Sequence, residues 1–366
     1  MALNESQLNR VVKEINKQNL DALLVAPSED LVFLLGHSPL LCARFQGLFI
    51  KSDGDYFYVC NLLTYDEMLN ELPNKQVYSW FDGDGFIDVV REVLEKKGLI
   101  GKTIGVSLGV RAFNILEIAE CMDVKWVSAR NLAYEARVHK TDDELDGLRG
   151  AAKIADKSFM QMFEEVRPGM TEQDVKNILF KHMENNGGVN YRAIVASGPG
   201  GSYPHYIRSD RVLQKGDAVV IDFSCEYKFV RSDTTRTIFI GQPSEAQKKV
   251  YDIVRRANAA GEAAAVNGAW IPDVDKAARD IIEAEGYGRY FTTRLGHGIG
   301  YLAHEVPDIK QSNHRRLEPR MAFSIEPGIY LAGDFGVRIE DIVIINEKGE
   351  AEILNTITKD YLIVDC

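Results

Sequence analysis

The sequence predicts a chain of two mixed domains, an α/β domain over residues 1–138 followed by an α+β domain of doubled build over residues 139–366. Three observations predict it. At 366 residues the chain is longer than one hydrophobic core usually organises. Strand-like apolar runs alternate with helical spacing as far as Val127, and the text then turns polar in RVHKTDDE, Arg137 to Glu144. Beyond that boundary, near residue 140, a turn, an amphipathic helix and a glycine stop occur twice. Pro168-Gly169, Val175 and Gly187 return as Asn267-Gly268, Val274 and Gly286, a constant shift of 99 residues.

In chain order, Asn4 to Gln18 carries Leu8, Val11, Val12 and Ile15 at helical spacing and leads into the strand Ala22 to Ala26. Strands GLFI and YFYVC, helical stretches near Leu63 to Leu72 and Phe86 to Lys97, and strands TIGVS and VKWV complete the first domain. The second opens with Thr141 and Glu144 spaced as a capping box ahead of Leu145, Leu148, Ile154 and Phe159. Two related halves facing each other would leave a cleft between them, the usual place for a ligand.

Two hairpins in this domain carry a conflict. Val219 to Ile240 folds about Tyr227 and Lys228, which sets Asp222 opposite Asp233 within apolar, β-branched runs. FSIEPGIYLAGDFGVRIEDIVII folds about Gly333 and sets Glu326 opposite Glu340. Like charges across a ladder destabilise it unless a cation lies between them. One dinuclear metal site taking these four carboxylates and an imidazole would satisfy both hairpins, because oxygen-rich ligand sets suit hard or borderline divalent ions. RLGHGIGYLAHE supplies His297, flanked by glycines that let ring and backbone approach a ligand, and His304. The glycine-rich SGPGG, Ser197 to Gly201, precedes no helical pattern and reads as a substrate-side turn rather than a phosphate loop.

The net charge of -11 and pI near 5.3 exclude a nucleic-acid backbone or an anionic membrane as the main partner. MALNESQLNR lacks the apolar core of a signal peptide, and no window approaches the roughly 20 apolar residues of a membrane span, so a cytoplasmic protein is expected. Cys42, Cys60, Cys121, Cys225 and Cys366 are scattered without a CxxC pair and read as reduced, mostly packing thiols.

The set Asp222, Asp233, His297, Glu326 and Glu340, in that order and framed by DF, SDTTRT, GHGIG, IEPGIY and GVRIED, resembles the metallopeptidase family of prolidase, aminopeptidase P and methionine aminopeptidase. The resemblance covers essentially the whole second domain and implies the pseudo-twofold "pita-bread" α+β fold. The first domain is similar to the N-terminal domain of prolidases, aminopeptidases P and creatinase, which sets the chain apart from the short methionine aminopeptidases.

Residue by residue, the resemblance implies that Asp222 chelates one metal, that Asp233 and Glu340 bridge two, and that His297 and Glu326 complete the second. Mn2+ is the first expectation, with Co2+ or Zn2+ as alternatives. A metal-bridging hydroxide would be the nucleophile, and Glu326 would take its proton and pass it to the leaving nitrogen. His205, in GSYPHY, and His304, in the HExP-like HEVP, match family histidines that contact the leaving-group amide and stabilise the oxyanion. Arg338 matches an arginine near the substrate and the metal shell.

The implied activity is hydrolysis of Xaa-Pro bonds in dipeptides or at the N-terminus of short proline-containing peptides, by a homodimer. A non-catalytic binding module on the same fold and a creatinase-like C–N hydrolase are the alternatives. His37, His139, His182 and His314 match no motif position and read as surface or packing residues. The chain departs from the family pattern at Ser224, Phe229, Tyr301, Leu302 and Asp308. An arginine is common at the last position, and an aspartate there is expected to repel a substrate carboxylate, so that longer peptides are tolerated.

Overall fold

The computed structural model describes residues 3–72 and 76–365. The chain divides into two compact units, Met1–Arg137 and Val138–Cys366.

The first unit is a single six-stranded sheet flanked by helices. Its strands are β1 (Ala22–Val25), β2 (Gly47–Lys51), β3 (Tyr56–Asn61), β4 (Val77–Trp80), β5 (Thr103–Val106) and β6 (Lys125–Ser128), in the order β4-β3-β2-β1-β5-β6. Only β2 runs antiparallel to its neighbours. The near-continuous apolar runs of β1 and β2 follow from burial on both faces, and Leu24, Phe49, Phe57 and Val59 form the centre of the core. Helices Glu5–Lys17, Leu62–Glu71 and Ile87–Lys96 occupy the stretches with helical spacing. Helices Glu29–Leu35, Ala112–Cys121 and Leu132–Ala136 were not legible as such, being short or lacking an N-cap hydrogen bond.

The second unit opens with helix Asp142–Glu165. The Thr141 side chain accepts from Glu144 N–H, and Glu144 reciprocates at Thr141 N–H, so both arms of the capping box are present. Such a cap stabilises a helix by about 1 kcal/mol.

The internal repeat is borne out in three dimensions. Helices Glu172–Asn185 and Ile271–Ala284 are each 14 residues long and keep the same offset as the sequence echo. The glycines before and after each helix, Gly169 and Gly187 in one copy and Gly268 and Gly286 in the other, all have φ between 80° and 89°. Val175 and Val274 are fully buried, each in its own core. Even the strap beneath each helix recurs, with Gly169 N–H donating to the Leu213 carbonyl and Gly268 N–H to the Leu317 carbonyl.

One half carries the sheet β18-β10-β8-β7, built from β7 (Val189–Ser197), β8 (Ala218–Tyr227), β10 (Thr234–Ile240) and β18 (Leu362–Val364), with β9 (Val230–Arg231) pairing β8. The other carries β12-β11-β13-β16-β17, built from β11 (Gly296–Gly298), β12 (Glu305–Ile309), β13 (Ala322–Ile325), β16 (Asp341–Ile345) and β17 (Ala351–Ile353). A separate ribbon pairs β14 (Gly328–Leu331) with β15 (Phe335–Arg338).

The register expected for the first hairpin is corrected here. The first hairpin turns at Lys228-Phe229, with Tyr227 paired to Val230, so Asp222 faces Thr235 and not Asp233. The register is displaced by two residues, and because the side-chain period of a strand is two, every residue keeps its face. The SGPGG segment, read as a turn rather than a phosphate loop, forms the short 3-10 helix Gly198–Ser202. Among the described residues no helix is long and apolar enough to cross a membrane. Cys60 and Cys225 are buried, Cys42 is half-buried, Cys121 is exposed contrary to a packing role, and Cys366 lies outside the described residues.

Candidate metal centre

Asp222 projects from the middle of β8, where the apolar alternation of Val219, Ile221 and Phe223 fixes which face it occupies. Asp233 lies in the two-residue gap between β9 and β10. The gap is held by Ser232, whose hydroxyl accepts from Cys225 N–H and whose own N–H donates to the Cys225 carbonyl. The second hairpin has a similar gap. Ladder pairing stops after Ile325↔Asp341 and resumes at Gly328↔Arg338, so Glu326 and Glu340 stand across from each other as the sequence predicts, in an unpaired interval.

His297 is the central residue of β11. Its flanking glycines have a packing role that the sequence did not show. A Cβ on Gly296 would lie 1.9 Å from the Ser324 carbonyl oxygen, and one on Gly298 would lie 2.2 Å from the Val306 carbonyl oxygen. The glycines are required because β13 and β12 press against the strand.

These five side chains converge. His297 Nε2 is 3.0 Å from Glu326 Oε1, 3.8 Å from Asp233 Oδ2 and 3.9 Å from Glu340 Oε1. Donor atoms of Asp222, Asp233 and Glu340 lie within 4.8 Å of one another, as do those of His297, Glu326 and Glu340, so two three-residue groups share one glutamate. A third such group joins Asp233, His297 and His304. His205, His304 and Arg338 line the same cleft, together with Pro204, Thr293 and Tyr330.

The electrostatics explain why these residues need a partner. Burial, and then the charge of Asp222, push the Asp233 carboxyl up to about 8. Burial and Asp233 drive Glu340 upward, and burial raises Asp222 even against the opposing pull of Arg338. Burial resists protonation of His297, but Glu326 and Asp233 outweigh it and leave the imidazole above its usual value. Glu326 ends below the usual carboxylate range, because the opposing burial effect is outweighed by His297 and Arg338. Buried carboxylates crowded this closely fit divalent cations, which a set of oxygens and one imidazole is suited to hold.

Beside this cluster, Arg338 donates a hydrogen bond from every nitrogen of its side chain. It donates from Nη2 to Asp222 Oδ2 at 2.6 Å, from Nη1 to the Tyr330 hydroxyl at 2.8 Å and from Nε to Thr235 Oγ1 at 3.0 Å. His304 packs edge-on against His297 with ring centroids 4.2 Å apart. Although its outer edge meets solvent, partial burial and the like charges of His297 and Arg294 hold it down at about 4, so the ring is neutral at pH 7. Asp308 is not the bare negative charge the sequence suggested. Lys310 Nζ lies 2.7 Å from one of its oxygens and Arg294 Nε 3.4 Å from the other.

The remaining histidines have partners elsewhere. His37 meets Glu67, His139 meets the Pro319 carbonyl and Glu318, His182 meets Glu165, and His314 packs against Trp270. Sequence reasoning missed Thr235 and Tyr330. Both sit inside recognised segments, SDTTRT and IEPGIY, but a hydroxyl residue in a strand reads first as a strand former.

The chain matches the metallopeptidase family M24 model over residues 146–347 and the creatinase/prolidase N-terminal domain model over residues 7–139. It is similar to the Xaa-Pro dipeptidase of Pyrococcus horikoshii, with 31% identity covering 97% of this chain and 99% of that one. Among solved structures it is similar to a recombinant prolidase from Thermococcus sibiricus, with a TM-score of 0.92, 31% identity and 98% of both chains covered. The X-Pro aminopeptidase of Thermotoga maritima matches with a TM-score of 0.84 and 29% identity over the full length of both. A metallopeptidase model that spans the two hairpins and β11, and so contains all five clustered side chains, makes divalent metal the expected cofactor: the chain belongs to metallopeptidase family M24.

Proposed function

We propose that the protein hydrolyses Xaa-Pro bonds, in dipeptides or at the N-terminus of short peptides, at a centre of two divalent cations. The observation that carries this reading is the pair of ligand groups, Asp222 with Asp233 and Glu340, and His297 with Glu326 and Glu340, joined through one shared carboxylate. Asp222 would serve one ion, Asp233 and Glu340 both, and His297 with Glu326 the other. The chemistry such ions supply is Lewis-acid polarisation of the scissile carbonyl and a lowered pKa for the attacking water.

The chain's own residues do the rest. Glu326, ionised near neutrality, accepts the proton of the attacking water and delivers it to the leaving nitrogen. His304, neutral at pH 7, offers an N–H to the carbonyl oxygen as negative charge grows there. His205, on the exposed side of the cleft, contacts the leaving-group side of the scissile amide. Arg338 holds Asp222 in place and keeps its charge partly balanced.

Mn2+ is the proposed metal, with Co2+ and Zn2+ as substitutes. A homodimer is part of the same reading and is supported by an apolar rim on the first unit. Leu62 and Leu63 follow β3 and Phe81 follows its parallel neighbour β4 at the same end of the sheet, with exposures of 50%, 72% and 57%, and Leu40 is 82% exposed in the segment ahead of β2. An intracellular, reducing location fits the free thiols of Cys42, Cys60, Cys121 and Cys225. The intact donor set speaks against a non-catalytic binding module and against a metal-independent creatinase-like hydrolase.

The test is a panel of Xaa-Pro, Xaa-Pro-Yaa and Met-Xaa peptides assayed before and after rigorous chelation, with Mn2+, Co2+ or Zn2+ added back. Hydrolysis confined to the proline peptides, lost on chelation and restored by metal, is expected. Turnover that persists in metal-free protein would overturn the reading.

A further inference from the structure

The two hairpins that supply the four carboxylates belong to different halves of the second unit, and one isolated backbone bridge is among the contacts that join them. Thr235 on β10 pairs with Glu340 across this bridge, and Glu340 N–H donates to the Thr235 carbonyl at 3.1 Å. Thr235 is fully buried, and its side chain makes the same connection again. Its hydroxyl lies 2.7 Å from Glu340 Oε2 and 3.0 Å from Arg338 Nε.

With Glu340 ionised, as a metal-holding carboxylate must be, chemistry fixes the direction of both hydrogen bonds. An arginine Nε can only donate, so the Thr235 oxygen must accept from it. The one hydroxyl proton is then directed at Glu340 Oε2, which leaves Oε1 as the oxygen on the His297 side, 3.9 Å from Nε2. The same guanidinium holds Asp222 Oδ2 at 2.6 Å. Glu340, Thr235, Arg338 and Asp222 thus form one unbroken chain of polar contacts that runs from the carboxylate shared by both ligand groups to the first ligand of one of them.

We propose that Thr235 is a positioning residue for the metal centre: its hydroxyl sets the rotation of the Glu340 carboxylate and couples it, through Arg338, to Asp222. The inference rests on the reading of these carboxylates as metal ligands. Without the hydroxyl, Glu340 Oε2 loses its buried donor and the carboxylate is free to turn away from the shared position. Outer partners of this kind typically control about 10-fold to 100-fold in metal affinity.

The experiment is a calorimetric titration of the chelator-stripped full chain with Mn2+ alone, for the unaltered protein and for Thr235→Val, Thr235→Ala and Thr235→Ser, with the melting temperature of each stripped protein measured alongside. Two ions per unaltered chain are expected. Thr235→Val and Thr235→Ala should weaken the second ion by at least about tenfold, while Thr235→Ser, which keeps the hydroxyl, should bind within about threefold of the unaltered protein. Wild-type affinities in the Val or Ala variant would overturn the proposal. So would a loss in Thr235→Ser equal to that in Thr235→Ala, since the methyl group and its packing would then be responsible. Thr235→Ser carries its own test even if the Val variant does not fold. An unaltered chain that binds no Mn2+ would instead overturn the metal reading, and this inference with it.

Discussion

Glu326 stands across from Glu340 where the second hairpin has no ladder, between the Ile325↔Asp341 pair and the Gly328↔Arg338 pair. Both glutamates turn their N–H groups to strands or loops outside the hairpin, Glu326 to the Leu295 carbonyl and Glu340 to the Thr235 carbonyl. The hairpin changes sheets at this interval, and the N–H groups released by the change are satisfied by the segments that bring in His297 and Asp233. The carboxylate cluster is therefore a consequence of how the two halves are joined, and both glutamates depend on a neighbour from another segment.

Asp233 is the most exposed test of that dependence. Its carboxyl is pushed up to about 8 by burial and by Asp222, so it sits in the site at a cost that bound cations would remove. Asp233→Asn should reduce activity to the level of chelator-treated protein. Elemental analysis should show metal falling from two ions per chain to one or none. A variant that keeps two ions and normal turnover would show that Asp233 is not shared between them.

Lys228 and Phe229 form the two-residue turn of the first hairpin with φ of 50° and 69°. A turn of this kind favours asparagine and glycine, and a bulky residue held in the left-handed region costs roughly 1–2 kcal/mol. Phe229 is also 46% exposed, so its ring returns little packing. Phe229→Gly should stabilise the protein by about 1 kcal/mol, read as a rise in melting temperature with kcat/KM unchanged. An equal or lower melting temperature would mean that the ring's contacts outweigh the backbone strain.

The same turn shows where sequence reading failed. Nothing in YKFV marks the left-handed pair, so folding about Tyr227 and Lys228 looked reasonable and misplaced the register by two residues, while burial kept Asp222 on the correct face. The second hairpin was legible because Gly333 marks its turn, and its φ of 77° is one that glycine takes readily. The doubled fold was legible because Gly169 and Gly187, and their counterparts Gly268 and Gly286, punctuate identical helices. Helix Ala112–Cys121 was not, since Arg111 provides no side-chain cap and only Asn114 and Ile118 are buried along it. The clustered carboxylates announced themselves as charges in apolar text. Thr235 could not, because its role depends on Arg338 and Glu340, about a hundred residues away in sequence.

Burial pushes the thiols of Cys60 and Cys225 up to about 11. A raised thiol pKa favours the neutral form, so at pH 8 the nucleophilic thiolate is a fraction of order 10^-3 at these two positions. Iodoacetamide at pH 8 should modify the exposed Cys121 in native protein and leave Cys60 and Cys225 unlabelled until the chain is unfolded. Peptide mass spectrometry before and after denaturation reads this directly. Rapid native labelling of Cys225 would reveal opening of the hairpin that carries Asp222 and Asp233.

Asp308 decides the last prediction, which concerns substrate length. The sequence alone made it a repulsive charge where a dipeptide's carboxylate would need an arginine. The structure surrounds it with Lys310 at 2.7 Å and Arg294 at 3.4 Å, so the cluster of one carboxylate and two cations has a net positive charge. Arg294 is close enough to influence Glu326, His297 and His304, which places its field in the cleft. Arg338 is held by Asp222, Tyr330 and Thr235, each of its side-chain nitrogens donating one hydrogen bond, which leaves Arg294 as the cation beside Asp308. Dipeptides should therefore be cleaved alongside tripeptides, with neither excluded. Removing the carboxylate by Asp308→Asn leaves both cations uncompensated, and should raise kcat/KM for Xaa-Pro relative to Xaa-Pro-Yaa by several-fold, most of it through KM and most of it lost at high salt. An unchanged ratio would show that this cluster does not sense the substrate's C-terminus, and a shift toward tripeptides would show that Asp308 itself favours the shorter substrate.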